Sequence, residues 1–141
     1  MLTRNWITWG VCGLALVAMA GCETGGVRGP SDQEMVSNVI DGTLDALRAQ
    51  NIDAMMTSYS EDFTSDQGGG KVEMQGFLQQ AKDGGFLNDM TISTANTTIV
   101  VEGATARVEP IELTGAFGEL TLGFDLEKRD GRWWIVRQRQ Y

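Results

Sequence analysis

The sequence contains no histidine, and its two cysteines, Cys12 and Cys22, both lie within the first 22 of 141 residues. The missing imidazole excludes Ser/His and Cys/His catalytic pairs and His-ligated zinc. The early position of both thiols leaves the body of the chain without a disulfide framework or a cysteine-rich metal site. Any catalysis must therefore use carboxylates, tyrosine, lysine or hydroxyls, and nothing in the sequence points to a cofactor or a metal. Basic charge is also scarce. Eleven Lys and Arg face nineteen Asp and Glu, a net charge of −8. That balance argues against nucleic acid as a partner and for a solvated surface. The few basic residues are unevenly spread, with Lys128, Arg129, Arg132, Arg137 and Arg139 all in the last fourteen positions.

A hydrophobic run long enough to span a bilayer is lacking too. The uncharged stretch Trp6–Gly21 follows the single positive charge Arg4. It has sixteen residues, several of them Gly, Ala or Thr, against the roughly twenty apolar residues that a transmembrane helix needs. A weakly basic start, a short apolar centre and small residues at the end form the layout of a signal peptide. The segment Met19-Ala20-Gly21-Cys22 resembles the bacterial lipobox, with Met19 where leucine is usual. The resemblance implies cleavage before Cys22 and acylation of its thiol. Residues 1–21 then form a lipoprotein signal peptide, and residues 22–30 form a lipidated cysteine with a flexible tether. An ordinary secretory signal or an N-terminal membrane helix is the competing reading. Cleavage removes one charged residue, Arg4, so the net charge of −8 becomes −9.

Two or more acyl chains, at about 0.8 kcal/mol per buried methylene, hold a protein firmly on a bilayer. The resemblance also implies a place in the bacterial envelope. Glu23, rather than Asp, after the cysteine favours the outer membrane, facing the periplasm. The tether Glu23–Pro30 contains three glycines and a proline and reaches roughly 28 Å when extended.

From residue 31 onward the pattern is that of one α+β domain. Ser31-Asp32-Gln33-Glu34 is a capping box, and Val36, Ile40, Leu44 and Leu47 recur at helical spacing, predicting a helix over Asp32–Gln50 with Asn51 as its left-handed stop. Asp53–Tyr59 reads as a short second helix, with Met55, Met56 and Tyr59 as core filler. Ser60-Glu61-Asp62 breaks it, and Phe63–Ser65 reads as a short strand. Gln67-Gly68-Gly69-Gly70-Lys71 lacks P-loop spacing and reads as a turn. Val72–Asp83 is a third helix burying Met74, Phe77, Leu78 and Ala81.

After Asp89 the period changes to two. Thr91–Glu102 reads as a strand. Ala106 and Val108 share one phase and Ile111 and Leu113 the other, so a bulge or bend is expected at Glu109-Pro110. Leu120, Leu122, Phe124 and Leu126 alternate with polar residues, and Asp130-Gly131 predicts a hairpin into Arg132–Tyr141. Alternation along that last strand puts Trp133, Ile135, Arg137, Arg139 and Tyr141 on one face and Trp134, Val136, Gln138 and Gln140 on the other. One tryptophan can pack on the helices; the other needs a different cover.

This order of elements resembles the nuclear transport factor 2-like superfamily, also called SnoaL-like or ketosteroid-isomerase-like. The residues that carry the likeness are Asp53-Ala-Met-Met-Thr-Ser-Tyr-Ser-Glu-Asp-Phe63, the Gly70–Ala81 helix start and Asp130-Gly-Arg-Trp-Trp-Ile-Val136. It covers residues 31–141. The resemblance implies a cone: three N-terminal helices packed on a curved antiparallel sheet of about four to six strands. It implies an isomerase, dehydratase or cyclase, or a module that binds a small apolar ligand or a protein, often as a homodimer.

The catalytic residues of such enzymes do not carry over. The first helix holds no tyrosine, the position of the aspartate base falls on Gln67, and Asp125 alternates away from the apolar side. Asp62, Asp66 and Tyr59 remain as catalytic candidates, with a carboxylate raised by an apolar cone as the proposed base. Trp133, Trp134, Phe124 and Arg137 are the candidates for a pocket or a partner face, including a homodimer through the sheet. The sequence therefore favours a non-catalytic binding module on a lipid anchor over a proton-transfer enzyme or a structural envelope dimer.

Overall fold

The computed structural model describes residues 29–141. The predicted signal segment, Cys22 and most of the tether lie outside the described residues. Three helices come first, α1 (Asp32–Arg48), α2 (Ile52–Met56) and, after β1 (Tyr59–Ser65), α3 (Lys71–Asp83). Five further strands follow: β2 (Thr91–Ser93), β3 (Thr98–Glu102), β4 (Thr105–Gly115), β5 (Gly118–Arg129) and β6 (Arg132–Gln140). They form one six-stranded sheet in the order β1-β6-β5-β4-β2, with β3 also pairing β4. The α+β expectation holds. No described helix is long and apolar enough to cross a membrane.

Helix α1 begins where its capping box places it. Ser31 Oγ accepts from the Glu34 amide at 3.2 Å, and the Glu34 carboxylate accepts from the Ser31 amide at 2.6 Å. Its stripe Val36, Ile40, Leu44 and Leu47 is buried. The helix ends earlier than predicted, because the left-handed residue is Gln50 (φ 53°). Asn51 instead caps α2, its side-chain oxygen accepting from the Ala54 amide at 3.1 Å.

The predicted second helix is cut short. Tyr59 opens β1, pairing parallel with Ile135 of β6, and the Ile135 amide donates to the Ser58 carbonyl at 2.9 Å. Sheet pairing overrides a locally helical sequence here, and the sheet is mixed rather than purely antiparallel. The expected strand Thr91–Glu102 also divides in two. Both pieces line the same edge of β4, with β2 on Glu112–Thr114 and β3 on Thr105–Glu109. In α3 only Leu78 is fully buried. Phe77, expected inside, is 66% exposed.

Three register shifts interrupt the sheet; one lies between Tyr59 and Thr64 where β1 pairs β6, and the other two decide which face the residues of β4 and β6 reach. That in β4 lies between Val108 and Ile111, where the phase change was expected, and it lets Ala106, Val108, Ile111 and Leu113 all reach the core. That in β6 was not foreseen. Leu126 pairs with Ile135 but Asp125 pairs with Arg137, so Val136 is an extra residue on β6. A bulge of this kind exchanges the faces beyond it. Arg137 and Arg139 therefore leave the face of Trp133 and Ile135 and join that of Trp134.

The core lies between the helices and the inner face of the sheet, around Tyr59, Phe63, Phe124 and Trp133. Asp32, in the first turn of α1, accepts from Trp133 Nε1 at 3.2 Å and from Lys128 Nζ at 2.7 Å, tying the helix start to the β5–β6 hairpin. The adjacent tryptophans thus differ sharply in role. Trp133→Ala is expected to cost about 3–5 kcal/mol, as for other large buried side chains. Trp134→Ala, on the outer face, is expected to cost under about 1 kcal/mol. Chemical denaturation of the two variants checks this, and equal losses would contradict the assigned faces.

Candidate functional site

The three catalytic candidates are not brought together. Asp62, on β1, is gripped by Arg129 through a bidentate pair at 2.8 and 2.9 Å. Arg129 also holds Glu127 at 2.7 Å. This guanidinium keeps the Asp62 carboxyl well below the usual carboxylate range, the reverse of what a general base at neutral pH needs. Asp66, just after β1, accepts from Arg137 at 2.6 and 2.9 Å. Tyr59 is fully buried, its ring edge-on to Phe63 at 4.7 Å and to Phe124 at 6.5 Å. Its hydroxyl has no hydrogen-bond partner among the described residues, and burial pushes it far above its ordinary pKa. Among the described residues no cluster of acidic side chains is arranged to hold a metal ion.

The partner-face candidates separate as well. Phe124 and Trp133 belong to the core, each 1% exposed, which corrects their assignment to a pocket or partner face. Trp134 and Arg137 lie on the outer side.

That outer side is the feature the sequence reading left incomplete. The strand registers arrange it in rows across β3, β4, β5 and β6. One row is Glu102, Thr105, Glu127 and Trp134; the next is Val100, Arg107, Asp125 and Arg137. Beyond them Arg139, paired with Gly123 in the ladder, bonds Glu109 and Asp125, each at 2.9 Å. The Tyr141 hydroxyl completes that network by donating to Glu109, which holds the phenol above its ordinary pKa. Gly123 leaves room for this network: a Cβ there would lie 2.9 Å from Glu109 Oε2 and 3.3 Å from the Tyr141 ring, so those side chains would have to shift.

Arg132 stacks on Trp134, its guanidinium carbon 3.9 Å from the ring centre. Acids prevail on β3–β5 and bases on β6. A concavity of about 500 Å³ opens on this face, lined by Val100, Glu102, Arg107, Asp125, Glu127 and Val136 among others. A shallower one, of about 400 Å³, lies between the start of α1 and Ile99. Both are outside the core. The missed residues Arg132, Glu102 and Arg107 carried a signal only in their alternation with inward neighbours.

Two predictions follow from the inner side and from the Asp62 pair. Tyr59→Phe removes a buried hydroxyl that has no partner, so stability is expected to be unchanged or raised by up to about 1 kcal/mol. A loss above about 1 kcal/mol in denaturant titration would show that the hydroxyl is bonded. For Asp62 the folded pKa is depressed, so its stabilisation is present above the unfolded value of about 3.9 and is lost as pH falls below it. The thermal midpoints of wild type and Asp62→Asn should therefore differ near neutral pH and converge in acid. A gap that widens in acid would contradict the pair.

No protein-family model and no curated protein sequence matches the chain. Solved structures do. A nuclear transport factor 2-like protein of unknown function from Shewanella baltica superposes with a TM-score of 0.59 at 19% identity, over 76% of this chain and 90% of its own. Another, from Pseudomonas putida, gives 0.63 at 14% identity, over 77% and 84%. A protein of unknown function with a cystatin-like fold, from Nostoc punctiforme, gives 0.63 at 13% identity, over 78% and 91%. A mixed sheet curled round three helices, met again in proteins this distant in sequence, is the nuclear transport factor 2-like fold, and the described chain has it.

Proposed function

We propose that this chain is a bacterial envelope lipoprotein, held on a bilayer through acylated Cys22, whose domain works by binding rather than catalysis. Its binding surface is the outer face of β3–β6, and its occupant is a protein or a small ligand taken there instead of inside the cone. The observation that carries this reading is the division between the two faces of the sheet. The inner face is filled by Tyr59, Phe63, Phe124 and Trp133. The outer face has a concavity with an aromatic, a cation and several carboxylates around it.

The proton-transfer alternative has little support. Both carboxylates it would use are ion-paired, and neither lines a concavity described above. The anchor is supported by the lipobox-like segment and by the Gly-rich stretch between it and α1.

Anchor and surface are tested together. Metabolic labelling with a fatty acid should tag the wild-type chain and not Cys22→Ala; equal labelling of both would refute the anchor. Hydroxyl-radical footprinting should find Trp134 protected in native membranes relative to dilute purified protein. Equal oxidation in the two states would refute the outer face as the binding surface.

A further inference from the structure

The helix layer, across the core from the outer face of the sheet, carries exposed apolar side chains of its own. Three of the large ones lie on α3 and the turn after it: Val72, Phe77 and Phe86, at 77%, 66% and 51% exposure. We infer that this side of α3 lies against the lipid bilayer, with Phe77 and Phe86 inserted among the headgroups, an inference that rests on the acylation of Cys22.

Helix α3 is turned so that Met74, Leu78 and Ala81 pack on the core, which points its other side away from the sheet. Residues seven apart return to the same face of a helix, two turns or about 10 Å along. Phe77 therefore shares a face with Gly84. The Phe86 ring lies over Gly84, where a Cβ would meet its Cδ2 at 2.9 Å. The two rings thus stand on one side of the helix, close enough together to enter one surface. Val72 stands on the other flank, with Gly76 and Gln80, both exposed and uncharged, between it and Phe77.

The bilayer is the nearest apolar cover for this strip. Eight residues, Glu23–Pro30, join Cys22 to the cap residue Ser31 and span at most roughly 28 Å. A domain of this size has a radius of gyration of about 13 Å. An acylated Cys22 therefore keeps the whole domain beside the lipid, at an effective concentration on the order of millimolar, and leaves it free to turn either side down. Charge decides which side can dock. Residues 71–87 hold Lys71 and Lys82 against Glu73 and Asp83, no net charge, in a mature chain of −9. Lys71 is paired with Glu61 at 2.5 Å, and Glu73 accepts from the Gly70 amide at 2.9 Å. Helix α1 has four acids to one base over Asp32–Arg48 and exposes no large apolar side chain, so an anionic surface repels it. Apolar side chains of a helix lying on a bilayer reach about 5–10 Å into the boundary of headgroups and acyl chains. Docked through α3, the domain turns the outer face of β3–β6 away from the lipid and toward its occupant.

Quenching by lipid tests the contact. The acylated mature chain is reconstituted in protein-free vesicles of phosphatidylethanolamine and phosphatidylglycerol whose acyl chains carry bromine, a contact quencher of indole fluorescence. Wild type is its own control, because the tryptophans left after cleavage before Cys22 are Trp133 and Trp134, one in the core and one on the outer face. Its emission should be unchanged. Phe77→Trp and, separately, Phe86→Trp should each add emission that the brominated lipid quenches. Adding Phe77→Ser to Phe86→Trp should lower the docking equilibrium constant about tenfold, the effect of returning most of a phenylalanine side chain to water. Thermal melting confirms that every variant is folded.

Acylated protein in which neither new tryptophan is quenched would overturn the contact and leave the anchor standing. Wild type that takes up no fatty acid would remove the anchor and the contact together. Quenching of wild type equal to that of the variants would overturn the proposal by placing the outer face on the lipid. Shielding of position 77 in native membranes but not in these vesicles would also overturn it, by giving the strip to a protein instead.

Discussion

The facing of side chains on β4 and β6 depends on two interruptions of strand register. A β-strand exposes its residues alternately to two faces, so an extra residue sends everything beyond it to the opposite side. In β4 the interruption at Glu109-Pro110 keeps both apolar pairs, Ala106 with Val108 and Ile111 with Leu113, against the helices. In β6 the extra Val136 turns Arg137 and Arg139 outward, away from a core that could not take their charge without large desolvation costs. The first bend closes the sheet round α1, and the second decides what its other face looks like. Without them, the same residues would leave apolar side chains in water and guanidinium groups against Phe124.

The consequence is a molecule with two chemically distinct sides. Inside, aromatic rings meet edge to face, and the Tyr59 hydroxyl has no hydrogen-bond partner among the described residues. Outside, arginines and carboxylates are interleaved over a shallow concavity, with Trp134 under Arg132. Charged groups arranged in this way confer specificity and orientation more than bulk affinity. The Asp62–Arg129 and Asp66–Arg137 pairs hold the two carboxylates that a proton-transfer reading would use as bases. A fold that hosts many unrelated activities says little by itself about function, so the contrast between the two faces carries the functional reading.

The sequence made legible what short-range physics controls. The capping box at Ser31, the stripe from Val36 to Leu47, the hairpin at Asp130-Gly131 and the phase change at Pro110 all appear where residue spacing put them. Long-range pairing was not legible. Nothing near Tyr59 announces that it joins β6 in parallel, because the decision is made by Ile135, far along the chain. The bulge at Val136 left no mark either, since Trp-Trp-Ile-Val-Arg alternates acceptably without it. That single extra residue moved Arg137 and Arg139 to another face. Phe77 misled for the opposite reason: its helical spacing fits the core stripe, but the domain has no further surface to cover it.

The account stands on the inner face being filled and the outer face being the one that functions. Crystals of the protein under xenon pressure address this most directly, because xenon enters apolar cavities of sufficient size without needing polar partners. The account predicts no xenon beside Tyr59, Phe63, Phe124 and Trp133. An ordered xenon atom among those four side chains would contradict it and return the binding site to the interior of the cone.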